Sequence, residues 1–137
     1  MPDRAPIPTA PIVDAAGITV RLGGRAILEN LSFQVARGEV FAIMGASGAG
    51  KSTLLRTMAG LAPPAAGRLR LLTRDLYQLP ARELFGLRKR IGVAFQGGAL
   101  LSALTVIENV ELPLRLNTRL DPATIRIMAH LKLELLN

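Results

Sequence analysis

Residues 40–53 read VFAIMGASGAGKST: five apolar residues, a glycine-framed loop, then Lys-Ser-Thr. No other stretch restricts the fold as much. A short run that is apolar throughout suits a central parallel strand covered on both faces, which has no wet side to fill with polar residues. The spacing Gly45-x4-Gly50-Lys51-Ser52 that follows is the Walker A pattern of a phosphate-binding loop. Residues 52–59 then place Leu54, Leu55 and Met58 on one helical face. Strand, loop, helix is the order this loop needs, because the first amides and positive dipole end of the helix must face the phosphates. A glycine-rich turn preceding a helix by chance would not need a lysine and a hydroxyl at these fixed places.

Each residue type in the loop has a mechanical reason. Gly45, Ala46, Ser47, Gly48, Ala49 and Gly50 supply a backbone cradle. Its glycines admit positive φ, and its inward N–H groups form an anion nest. Lys51 reaches the β- and γ-phosphates as a point charge. The Ser52 hydroxyl is placed to ligate Mg²⁺, and Thr53 to contact the α-phosphate side. A nucleotide with Mg²⁺ is the ligand such a loop takes.

The rest of the chain supports one small globular domain. It has 137 residues, half of them hydrophobic, which is enough for a core. There is no cysteine, so no disulfide framework and no thiolate metal site. Net charge is +7. A basic balance suits phosphorylated ligands, anionic surfaces or nucleic acid. One tyrosine and no tryptophan leave out the aromatic interleaving of a single-strand binder, so nucleic acid is not expected as a partner. Residues 1–11, with four prolines, read as an extended tail. Residues 18–21 and 28–35 alternate apolar and polar around a Gly23-Gly24 turn and read as an antiparallel pair. Residues 68–72 are a further strand, 83–90 a short helix, and 91–95 (IGVAF) a second buried strand ending at Gln96. Residues 106–112 read as a helix stopped by Pro113. Asp121-Pro122 starts another, whose stripe of Ile125, Met128, Leu131 and Leu135 is expected to pack into a core.

At residues 27–71 and again at 88–114 (RKRIGVAFQGGALLSALTVIENVELPL) the chain resembles the ATP-binding subunits of ABC transporters. The likeness runs from residue 12 to the end. Walker A alone is shared with many kinases and GTPases; its pairing with the antiparallel lead-in strands and the Gln96 segment is far more specific. The resemblance implies an α/β P-loop NTPase fold of the ABC nucleotide-binding-domain type, incomplete here. It would hold antiparallel lead-in strands, a parallel core strand, the Walker A helix and the start of a helical subdomain. It implies that residues 12–137 are the N-terminal portion of that domain. It places Gln96 at the Q-loop glutamine, near Mg²⁺ and the attacking water, so that Ser52 and Gln96 are the metal-facing residues. It further implies ATP as ligand, a transmembrane permease as partner, a homodimer of nucleotide-binding domains in the complete protein, and a cytoplasmic, peripheral place on the inner face of the plasma membrane. The stretch FQGGALLSALTVIENVELPLR looks most like the Mla-type phospholipid transport ATPases, with amino-acid importers and lipoprotein exporters as alternatives.

Departures from the family pattern are equally informative. Leu22 stands where many members stack an aromatic ring on adenine, which leaves base selectivity open. No apolar strand ending in Asp-Glu follows Gln96; the signature segment and switch histidine are missing as well. Glu108 is the nearest decoy for the acid but belongs to a helix, and His130, the single histidine, lies before the place of the signature. The 137 residues are therefore expected to bind ATP without hydrolysing it, and to be poorly soluble or partly unfolded alone. A non-catalytic remnant and a P-loop phosphotransferase with Arg88 and Arg90 as lid are the competing readings.

Overall fold

The computed structural model describes residues 10–136 and divides into two compact units, one reaching to Ile91 and one beginning at Gly92. The expected tail lies outside the described residues as far as residue 9.

The first unit is built on a sheet of four antiparallel strands: β1 Val13–Leu22, β2 Arg25–Val35, β3 Ala66–Leu71 and β4 Arg74–Asp75, in the order β2-β1-β3-β4. Helices α1 Lys51–Met58 and α2 Ala81–Arg88 belong to the same unit. The β1–β2 hairpin turns on Gly23 and Gly24, both at positive φ, with Leu22 opposite Arg25. A two-residue turn of this kind matches strand twist only when both residues take that conformation. Alternation then selects the core. Val13 and Ala15 point to one face of β1, and Ile18 and Val20 rejoin it after a register shift between Ala15 and Ile18. At this bulge β1 and β3 come so close that a Cβ on Gly67 would lie 2.3 Å from the Gly17 carbonyl oxygen.

Val35 of β2, Leu69 and Leu71 of β3, Leu76 just after β4 and Leu87 of α2 complete the buried cluster. Ile18 and Leu69 are 0% and 1% exposed; burying each contributes about 2 kcal/mol. The opposite face is a polar row: Gln34 Nε2 donates to Asp14 Oδ1 (3.0 Å), Asp14 stands opposite Arg70, and Arg70 opposite Asp75.

The apolar runs at 40–44 and 91–95 do not form strands, contrary to the parallel core strand expected from sequence. A strand is defined by its neighbours, and among the described residues no strand pairs with either run. Unladdered, Val40 and Met44 are 97% and 90% exposed. Phe41 is anchored by its ring, stacked on Phe33 of β2 at a centroid distance of 5.1 Å, and Ile91 packs against the core cluster.

The second unit holds α3 Val106–Asn117 and α4 Pro122–Glu134. Thr105 and Glu108 form a reciprocal capping box at the start of α3, and Asp121 accepts from the Thr124 amide (3.0 Å) at the start of α4. Two expectations are corrected. First, α3 runs through Pro113 to Asn117. The ring removes one backbone donor. The helix nonetheless continues, and Asn117 Nδ2 and Thr118 Oγ1 close its end on the carbonyls of Pro113 and Leu114. Second, the stripe Met128, Leu131, Leu135 is exposed; the buried positions of α4 are Ile125 and Ala129. Between the helices, the carboxylate of Glu111, 2% exposed, pairs with Arg115 one turn on and with Arg126 Nε of α4 at 3.7 Å.

Candidate phosphate-binding site

Helix α1 begins where the loop ends because Gly50 turns the chain there. It is the N-cap at φ +87, is buried, and sits so close to β2 that an added Cβ would lie 2.9 Å from side-chain carbons of Ile27 and Leu28. The first helical bond runs from Leu54 N to Gly50 O (2.8 Å). The amides of Lys51, Ser52 and Thr53 therefore have no helical acceptor. No side chain caps them, and no acid stands in the first turn. These free donors at a positive helix end are the geometric fit for a phosphate. Gly48, at φ +79, leaves open space where a side chain would project.

Lys51 does not reach outward. Its Nζ donates to the carbonyl oxygens of Gly45 (2.8 Å) and Ala46 (2.7 Å), clasping the loop it belongs to. An ammonium has three donors, so one remains for a ligand. Ser52 is exposed beside it, and Thr53 is half-buried.

The other end of α1 is held by residues that sequence reasoning did not single out for this task. Leu61 N bonds Arg56 O (2.9 Å) and Gly60 N bonds Thr57 O (3.0 Å), with Gly60 at φ +73, which is a Schellman ending. Tyr77 Oη lies 2.7 Å from Thr57 O and 2.6 Å from Ala62 O, and Arg88 donates to Gly60 O. Burial pushes the Tyr77 hydroxyl up to about 12 from 10.0, against the opposing pull of the Arg88 charge. A lone tyrosine in so apolar a chain was the available signal. The face α1 buries is Leu54, Thr57 and part of Met58; Leu55, expected on it, is 52% exposed.

Gln96 belongs to the second unit, in a turn, and is exposed. Glu108 is occupied in the capping box, where donation from Thr105 Oγ1 and then from its amide holds the carboxyl below its ordinary value of 4.5. His130 is exposed on α4, and Leu22 is exposed at the end of β1. Among the described residues no three His, Asp or Glu gather as a metal cluster. A cavity of about 270 Å³ does exist in the first unit, but no residue of the loop lines it. The phosphate site is a row of amides on a surface, not an enclosure, so the two are separate features.

The sequence profile of the ABC transporter family matches residues 28–137. The chain is 39% identical over 123 residues to the intermembrane phospholipid transport system ATP-binding protein MlaF of Haemophilus influenzae, covering 90% of this chain and 47% of that one. It is 53% identical over 91 residues to the methionine import ATP-binding protein MetN 2 of Paraburkholderia xenovorans, covering 66% of this chain and 24% of that one. Among solved structures, the dimeric post-hydrolysis state of the ATP-binding cassette MJ0796 bound to ADP and Pi is similar with a TM-score of 0.77 at 33% identity, covering 85% of this chain and 53% of that one. The chain spans about half the length of MlaF and less of MetN 2. The loop geometry, the fold and a family match over most of its length together place this chain in the ABC transporter family.

Proposed function

We propose that this chain is the nucleotide-holding part of an ABC transporter ATP-binding subunit, with residues 12–137 as the N-terminal portion of the nucleotide-binding domain. The observation that carries the reading is the start of α1: three amides without a cap, at a helix end without an acid, behind a loop whose lysine is already in place. Gly45 to Gly50 would cradle the phosphates, Lys51 would bridge to the outer ones, and Thr53 would support the inner side. Ser52 would face Mg²⁺; the family resemblance gives Gln96, which belongs to the other unit, a metal-facing role of its own. Mg²⁺ keeps several waters and leans on phosphate oxygens, so the bound nucleotide would supply much of its coordination. When bound, the metal would neutralise charge on the outer phosphates. ATP titration with and without Mg²⁺ tests this: Lys51→Ala should abolish binding, and an unchanged affinity would refute the assignment.

These residues include no carboxylate after Gln96 placed to polarise a water, so binding without turnover is the expected behaviour of the 137-residue protein. Phosphate release that disappears with Lys51→Ala would overturn that. In the complete protein, two such domains would close on ATP and drive a membrane permease from the inner face of the plasma membrane. The match to MlaF over 90% of the chain supports phospholipid as the cargo class. The higher local identity to MetN 2 keeps methionine import as the second reading. Transport assays of the whole protein with its permease, using labelled phospholipid and labelled methionine in parallel, separate the two.

A further inference from the structure

The cavity away from the phosphate loop is lined by both apolar and basic residues. Ile12 ties two strand ends together: its N–H donates to Val35 O (2.8 Å) and its carbonyl accepts from Leu72 N (2.9 Å). Ile12, Leu72 and Thr73 line a half-open space of about 270 Å³ together with Arg37 and Arg90. Both arginines stand on fixed backbone. Arg37 sits in the turn that Glu39 Oε2 closes by accepting from Ala36 N (2.6 Å), so the acid of that turn is engaged. Arg90 N donates to Leu87 O (3.0 Å) at the end of α2, whose Leu87 is buried in the core. Among the described residues no aspartate or glutamate lines the cavity and neither arginine forms an ion pair.

Two arginines lining one space, with no acid among the described residues that line it, suit a planar or tetrahedral anion held bidentately. The volume exceeds that of a bare phosphate, and Ile12 and Leu72 in its lining are apolar. We infer that this cavity binds a phosphomonoester carrying a short carbon backbone, either as a free small molecule or as a lipid headgroup. Arg37 and Arg90 hold the phosphate, and the carbon chain lies over Ile12 and Leu72. The net charge of +7 favours arrival of such an anion. The site is independent of the nucleotide assignment, since it shares no residue with the loop.

Calorimetric titration of glycerol 3-phosphate into the 137-residue protein at low salt should give saturable binding. Arg37→Gln or Arg90→Gln should weaken it roughly tenfold, and the double variant should abolish it. The double variant should keep the wild-type ATP affinity, whereas Lys51→Ala should lose ATP and still bind glycerol 3-phosphate; failure of one site is thereby told from failure of the other. Phosphatidylcholine vesicles with and without phosphatidic acid form the second arm. Arginine-dependent binding to the acidic vesicles, with none to glycerol 3-phosphate, assigns the headgroup source. No saturable binding of either probe, or an isotherm the double variant leaves unchanged, overturns the inference. If a glutamine variant loses its far-ultraviolet dichroism, Arg37→Lys and Arg90→Lys decide instead, because they keep the charge and lose the fork.

Discussion

At the scale of single residues, Gly50 is the glycine on which the start of α1 depends. Its φ of +87 disfavours any side chain, and a Cβ would press on Ile27 and Leu28 at 2.9 Å. Gly50→Ala should cost about 2 kcal/mol or more and weaken ATP binding, read by thermal melting and nucleotide titration on the same sample. Tyr77→Phe removes the one proton that the carbonyls of Thr57 and Ala62 share, leaving Thr57 O with the Gly60 amide alone, and should cost about 1–3 kcal/mol. The titration of Tyr77 adds a pH signature. Its proton is held more tightly in the fold, so this stabilisation is complete below 10.0 and is lost as pH rises towards about 12. The loop was legible in sequence because four positions at fixed spacing, Gly45, Gly50, Lys51 and Ser52, belong to one pattern. Tyr77 was not, because the spacing of a carbonyl clamp from its helix appears only after the chain has turned back on itself.

At the scale of elements, the helix caps and the α3–α4 contact make separate predictions. Hydrogen bonds from Thr105 and from Thr124 hold the carboxyls of Glu108 and Asp121 below their ordinary 4.5 and 3.8. A lowered value in the fold means stability that is present above the ordinary range and disappears as pH falls through the lowered one. Far-ultraviolet dichroism should therefore show helix loss on acidification that is blunted in a Glu108→Gln, Asp121→Asn double variant. Glu111 works by a different rule, since it is buried while its two arginines are exposed. Removing both arginines strands a charge in the interior and should cost about 3–5 kcal/mol, more than Glu111→Gln, which leaves only solvated cations. Chemical denaturation of the variants decides the order. Sequence did reveal Asp121 as a cap and the β1–β2 hairpin, because both depend on neighbours a few residues away. The helix through Pro113 escaped it because the side chains that close α3 lie beyond the break they compensate.

For the whole molecule, the governing quantity is apolar surface. Val40, Met44, Leu100, Leu116, Leu135 and Leu136 are each at least 70% exposed. Surfaces of this kind draw proteins together. The 137-residue protein should elute from gel filtration as oligomers, or bind a hydrophobic dye strongly. A monodisperse monomer with a sharp cooperative melt would contradict this. The runs at 40–44 and 91–95 show why sequence misjudged them. Composition specifies that a segment is fit to be an interior strand, but the ladder that makes it one is supplied by other segments, and none of the described ones supplies it.

The clasp between Lys51 and the carbonyls of Gly45 and Ala46 sets a threshold for entry. An arriving anion does not meet a bare charge; two of the three ammonium donors are engaged and it would be offered the third, unless it displaces a carbonyl. A weakly charged ion such as chloride offers less than those carbonyls and leaves the lysine where it is. A polyphosphate engages the free amides first and then outbids the carbonyls. The clasp would thereby make the loop favour anions of high charge density.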